Sequence, residues 1–305
     1  MTDSRTTGGT RPFRFGVTVP IRTDLPTWRD RIRRLADSGY STLLMPDVPH
    51  WQPAPGPTDD LVRVQLLADV TRVAPGQELT IGARFDIEPG WHLYWSNPGE
   101  SGLPTELELN APPGFVVGPV RYPGPMRFES PGSITSYGYD EMVMLSAIVT
   151  APDRVAGPTR FEAQLSWLAC REICVPGKGR TAIELPAATA SEPAGPAHAE
   201  LFARNRETLP LPFAELGAGR PSWQRDERQT SLTIHVPAAE RLEYFPPSPE
   251  DLALIGQASV PAAGGARLEL AYKPSARQVR VRGVLAVTRG QAVRYYAMDF
   301  EESPP

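Results

Sequence analysis

The stretch WLACREICVPG, from Trp167 to Gly177, holds Cys170 and Cys174, the two cysteines of a 305-residue chain. A thiol pair with three residues between its members can do one of three things. It can form a structural bridge, clasp a soft metal ion, or open and close as a redox couple. Geometry narrows the choice. On an uninterrupted strand, residues i and i+4 lie about 13 Å apart, whereas a disulfide needs Cα atoms within about 7 Å. A bond therefore requires a turn at Arg171, Glu172 and Ile173. RFEAQLSWL before the pair and RTAIELP after it read as strands, which predicts a strand–turn–strand corner. So short a closed loop removes little unfolded-state entropy, so a bridge here is a weak strut and better suited to reversible opening. Arg171 would favour a Cys170 thiolate and Glu172 would oppose it. The metal alternative stays open: two thiolates at this spacing suit Cu(I). Zinc needs four ligands, and only His50, His92, His198 and His235 could complete a set. Of these, His92 in GWHLYW stands out, although an aromatic-flanked strand residue also reads as plain packing.

The elements that must hold this corner are mostly strands. Proline accounts for 35 of the 305 residues, roughly twice its usual share of about 5%, and favours short elements joined by turns. Hydrophobic residues make up 41% and charged residues 22%, the balance of a globular chain. A net charge of −4 advertises neither nucleic acid nor an anionic membrane surface as a partner. No run of about 18 apolar residues occurs, so no membrane-crossing helix is expected. The first 25 residues hold no apolar run with a cleavage site, so no signal peptide is expected in the sequence as it stands.

Residues 1–57 differ from the rest. RPFRFGVTVP and STLLMPD read as strands flanking a helix in LPTWRDRIRRLADSGY, with Trp28, Ile32 and Leu35 on one face, a βαβ-like start. From Leu61 onward LVRVQLLADV, ELTIGARFDI, MVMLSAIVT, RFEAQLSWL and TAIELP predict an antiparallel sandwich over 58–188. An Ala/Pro/Gly-rich linker is expected at 189–204, running into the helical stretch HAELFARNRETL. A second β-rich domain is expected over 205–301, from SLTIHV, ARLELAY, QVRVRGVLAV and AVRYYAMDF. The fold class is therefore mainly β.

Four ordered motifs carry a family resemblance: PGWHLYWSNPGESGLPTELEL (89–109), YPGPMRF (122–128), SYGYDEMVM (136–144) and LSWLACREICVPGKGR (165–180). Together they resemble the N-terminal periplasmic domain of the thiol:disulfide interchange protein DsbD, in its ScsB-like variant. LEYFPPSPEDL, RVRGVLAV and RYYAMDF extend the resemblance through the second block. It implies an immunoglobulin-like sandwich followed by a second β domain. It also implies a protein-disulfide reductase module whose reversible couple is Cys170 and Cys174, with no cofactor and an external electron donor. That donor would be membrane-embedded and the clients disulfide-containing periplasmic proteins, reached by thiolate attack through a mixed disulfide. The family shields its couple with an aromatic cap loop, for which Phe128, Tyr137 and Tyr139 are the candidates, while His92 and Tyr94 correspond to the aromatic strand nearby. The alternative is an immunoglobulin-like module that captures Cu(I), or a partner protein, with the two cysteines as ligands. Residues 11–47 separately resemble, in FRFGV and ADSGYSTLLMPD, the opening of luciferase-like monooxygenases. That would imply a flavin- or deazaflavin-dependent barrel fragment, but the text that follows does not alternate strand and helix as a barrel requires.

Overall fold

The structure is a computed structural model, and it describes residues 16–18, 42–44, 61–130, 134–247, 254–273 and 280–301. The chain divides into two compact units, Met1–Gly56 and Pro57–Pro305. In the first, strands β1 (Gly16–Thr18) and β2 (Thr42–Leu44) pair in parallel, a pairing that needs a crossover connection. The helix expected between them lies outside the described residues, as does most of the luciferase-like segment.

The second unit begins with a sandwich of ten strands: β3 (Val62–Ala68), β4 (Glu78–Ile87), β5 (His92–Gly99), β6 (Glu106–Asn110), β7 (Val116–Val117), β8 (Met126–Ser130), β9 (Ile134–Asp140), β10 (Met142–Thr150), β11 (Thr159–Cys170) and β12 (Cys174–Leu185). One sheet has the order β3-β4-β10-β7; the other runs β12-β11-β5-β9-β8, with β6 added on β11. Period-two patterning explains which side chains meet between them. Along β11, Phe161, Ala163, Leu165 and Trp167 are buried while Arg160, Glu162 and Gln164 are exposed. Trp167 meets Phe85 of β4 edge-on across the core, with ring centroids 5.8 Å apart. The alternation stops at Leu168, from which point both faces of β11 are covered.

After the first sandwich comes helix α1 (Ala199–Thr208), then β13 (Leu211–Pro212), β14 (Ser222–Arg225), β15 (Thr230–Pro237), β16 (Arg241–Phe245), β17 (Leu254–Ala262), β18 (Gly265–Tyr272), β19 (Arg280–Arg289) and β20 (Ala292–Glu301). These strands form two four-stranded sheets, β13-β20-β19-β16 and β14-β15-β18-β17. Leu232, Ile234 and Val236 of β15 lie beside Leu268 and Leu270 of the neighbouring β18, on the face that lines a separate core. Helix α1 starts inside the stretch expected to be a linker and lies on the first sandwich. Phe202 packs against Leu67 and Met144, and Asn205 Nδ2 donates to Ser146 Oγ at 3.3 Å. It ends where Leu209 turns extended, the conformation that the following Pro210 imposes on its predecessor.

The two sandwiches share apolar packing. Phe245, at the end of β16, belongs with Val284 and Ala286 to the core of the first sandwich. Its ring meets Tyr137 at 5.2 Å and Trp95 at 6.3 Å, both edge-on. Beside it the buried Asn97 donates from Nδ2 to the Pro246 carbonyl at 2.8 Å, while its Oδ1 accepts from the Gly99 amide at 3.0 Å. A buried amide with both ends satisfied fixes the orientation of this contact.

Candidate functional site

Cys170 ends β11 and Cys174 starts β12, and the two are directly opposed in the hairpin register. Arg171, Glu172 and Ile173 make the turn, closed by the Arg171 amide donating to the Ile173 carbonyl at 3.0 Å. The cysteines are bonded, with Cα atoms 4.1 Å apart. The turn expected from the flanking strand text is therefore present. The two sulfur-bearing residues differ in access: Cys170 is 2% exposed, whereas Cys174 lies open to solvent. Ile173, between them, is 67% exposed. The Arg171 guanidinium sits 5.3 Å above the Trp91 ring, a cation–π contact.

Cross-strand register decides what surrounds the pair. His92 of β5 is directly opposite Cys170, so Cys170 is flanked by Cys174 on one side and His92 on the other. Opposed residues share a sheet face, and residues two apart share it as well. Tyr94 therefore joins that face, where it clusters with Leu168 and Cys170, its hydroxyl 4.0 Å from Cys174 Sγ. Burial pushes the Tyr94 hydroxyl above its ordinary value, and a hydrogen bond with Ser101 opposes that. Two glycines make the room. Gly102, at φ +108°, lets the loop after β5 close on the Tyr94 ring, where a Cβ would collide. Gly138 lies opposite Tyr94 on β9, and a Cβ there would strike the Leu93 carbonyl. From the next strand, Phe128 of β8 stacks on His92 with centroids 4.6 Å apart and planes 15° from parallel, while Tyr94 meets His92 edge-on at 5.1 Å.

Of the residues singled out in the sequence, the structure gathers Cys170, Cys174, His92, Tyr94 and Phe128. Tyr137 and Tyr139, offered as cap candidates, go to the opposite face. Tyr139 pairs with Leu93, and both tyrosines lie in the core. The Tyr139 hydroxyl donates to the Pro123 carbonyl at 2.8 Å, and burial drives it well above its ordinary value. Parity explains the split, since Phe128 opposes Ser136, an odd number of residues from each tyrosine. Sequence reading missed Leu168 and Asp140. Asp140 pairs with His92, a cross-strand register that no local signal in the sequence discloses.

His92 responds to this setting. Burial lowers its pKa below the ordinary histidine value and the Asp140 charge partly opposes the shift. The folded protein thus holds that proton less readily than the unfolded chain, whose histidine titrates near 6.5. The stability this contributes is complete above about pH 6.5 and is lost as pH falls through that value towards the lower folded one. The urea midpoint is expected to fall between pH 7 and pH 5.5, and to fall less in His92→Phe; equal slopes would exclude this linkage.

Residues 59–186 match the family described as thiol:disulfide interchange protein DsbD, N-terminal. The N-terminal periplasmic domain of ScsB from Proteus mirabilis has a similar structure, at 15% identity and a TM-score of 0.58, over 81% of this chain and 96% of that one. Neither sandwich alone could supply that coverage, so the shared fold includes both. The Neisseria meningitidis DsbD N-terminal domain, in its reduced form, aligns over 47% of this chain and 96% of its own at 15% identity and a TM-score of 0.29. A comparison with curated proteins finds no match. No comparison supports the luciferase-like resemblance of residues 11–47, and the family match begins at residue 59.

Proposed function

Because residues 59–186 carry a DsbD N-terminal domain, we propose that this chain is a thiol:disulfide exchange module working through the Cys170–Cys174 disulfide. The observation that carries the reading is an open Cys174 bonded to a 2% exposed Cys170 at a hairpin tip. A disulfide exchanges by in-line attack of a thiolate on one sulfur, with the other as leaving group. An incoming thiolate of an electron donor reaches Cys174 Sγ, forms a mixed disulfide there and expels Cys170. The donor's second thiol then releases Cys174, leaving both cysteines reduced. Towards a client the steps run in reverse order. The Cys174 thiolate attacks the client disulfide, and Cys170 attacks Cys174 to free the reduced client.

Tyr94, Leu168 and the ring pair His92–Phe128 keep outside thiols from Cys170, so the couple answers to partners only through Cys174. The 67% exposed Ile173 supplies apolar surface beside that sulfur for a partner to cover. In this reading the partners are a membrane-embedded electron donor and disulfide-containing periplasmic proteins, by analogy with the periplasmic ScsB domain of the same fold. Reduced, the pair is also two soft ligands, which keeps Cu(I) capture as the competing use.

Equilibration in glutathione redox buffers tests the proposal, with thiols counted after acid quench. One two-electron transition within the range that glutathione spans is expected. A pair still oxidised in strongly reducing buffer would be a strut instead. In a parallel anaerobic arm, stoichiometric Cu(I) binding that vanishes in Cys170→Ser and Cys174→Ser would favour metal capture.

A further inference from the structure

His92 carries an unexplained atom. Its Nε2 is buried and, among the described residues, has no hydrogen-bond partner. A buried polar group left unpaired is costly and calls for a reason. The ring is held in place on two sides, stacked on Phe128 and edge-on to Tyr94. It belongs to the residue directly opposite Cys170. The Cβ atoms of directly opposed residues stand about 5 Å apart, a gap that an imidazole and a thiol can bridge. In the oxidised form Cys170 is turned to Cys174 on the neighbouring strand. Once that bond opens, the freed sulfur has His92 on its other side.

We propose that His92 is the proton acceptor for Cys170 in the resolving step of exchange, an assignment that rests on the exchange reading above. In the mixed disulfide between Cys174 and a client, the Cys170 thiol passes its proton to His92. Its electron pair attacks Cys174 Sγ, the bond from Cys174 to the client sulfur breaks, and the pair leaves on that sulfur. The client sulfur takes up a proton, so the client is reduced and the cysteine pair oxidised. Run backwards, His92 returns the proton to Cys170 as it is expelled.

The need for an acceptor follows from burial. An ordinary thiol near pKa 8.5 is only a few per cent ionised at pH 7, and an apolar setting disfavours the thiolate further. The groups that face the imidazole are Asp140 from β9, Tyr94 from its own strand, and the two cysteines from β11 and β12. Phe128, from β8, adds no charge. Arg171 is held over Trp91, and Arg127, next to Phe128, bonds to Thr135 Oγ1 at 3.0 Å. Among the described residues, Asp140 is thus the carboxylate set to steady a protonated His92, and burial lowers the pKa of the ring beforehand.

The test uses the reduced full chain and 5,5′-dithiobis(2-nitrobenzoate), which releases one coloured thiolate per step. The first release reports Cys174 attacking the reagent and scales with reagent concentration. The second reports Cys170 resolving the mixed disulfide and does not. With His92 in place, the second phase is expected to be flat from about pH 6.5 to 8, because a neutral imidazole is already available there. In His92→Phe, which keeps the stack on Phe128, and in His92→Gln, it should be about ten-fold slower or more at pH 7. It should then climb with pH as the thiol ionises by itself, while the first phase changes by less than about three-fold. A second phase with unaltered rate and pH profile in both variants overturns the assignment. So does a first phase slowed as much as the second, which would make His92 a packing residue. If the unmodified chain shows no second release, the exchange reading fails rather than the role of His92.

Discussion

Cys174→Ser is expected to stop exchange with outside disulfides altogether, whereas Cys170→Ser is expected to attack them and stay attached. The asymmetry follows from access. Cys170 is 2% exposed and sealed by Tyr94 and Leu168 on its own sheet face, while Cys174 is open at the first position of β12. An attacking sulfur must lie in line with the bond that it breaks, and only Cys174 can meet a partner that way without the sheet opening. Mass spectrometry after mixing each reduced variant with a peptide disulfide would show a stable adduct on Cys174 in Cys170→Ser. Cys174→Ser would show no adduct. Brief iodoacetamide treatment of the reduced chain should likewise label Cys174 before Cys170. Adducts forming equally on either cysteine would mean that exposure in the bonded form does not govern the reduced form.

The second large effect concerns a residue far from the couple in sequence. Phe245→Ala is expected to destabilise residues 57–305 by about 3–5 kcal/mol, the usual cost of emptying a fully buried phenylalanine site. Phe245 is 1% exposed and wedges between Tyr137 and Trp95 of the first sandwich. For a unit of this size the change corresponds to a melting temperature lower by about 10 °C. Because the ring belongs to β16 yet fills the core of the other sandwich, the loss should appear in both halves. Calorimetry checks this. The unaltered chain should melt its two sandwiches in one transition, and Phe245→Ala should lower that transition or split it. A variant that leaves the first sandwich's melting untouched would show that the halves are thermodynamically independent. The strands that carry Trp95 and Tyr137 are those that carry His92 and Gly138 on their other face, so this contact also braces the floor of the redox site.

What the sequence could disclose follows the range over which each signal acts. Strand patterning is local: RFEAQLSWL and RTAIELP alternate on their own terms, and a disulfide between residues four apart then has only a tight turn to choose. The hairpin was thus legible, and the ordered motifs around it carried the kind of site. Phe245 was not legible, because nothing in LEYFPPSPEDL says that its ring leaves its own sandwich. The helix in HAELFARNRETL was legible as well, but not that it docks on the first sandwich through Phe202.

The division runs through the site itself. Sequence alone determined that a bond between Cys170 and Cys174 must be made across a turn, because that rests on neighbours within a few residues, whereas an aromatic strand beside the pair was implied only by the family resemblance. Only the tertiary structure decided that Cys174 faces solvent, that His92 and Phe128 join it, and that Tyr137 and Tyr139 do not. Those outcomes depend on register between strands whose members lie as far apart as Tyr94 and Cys174, 80 residues along the chain. A one-residue change of register exchanges the two faces of a strand, and that register is set by the packing of the whole sandwich.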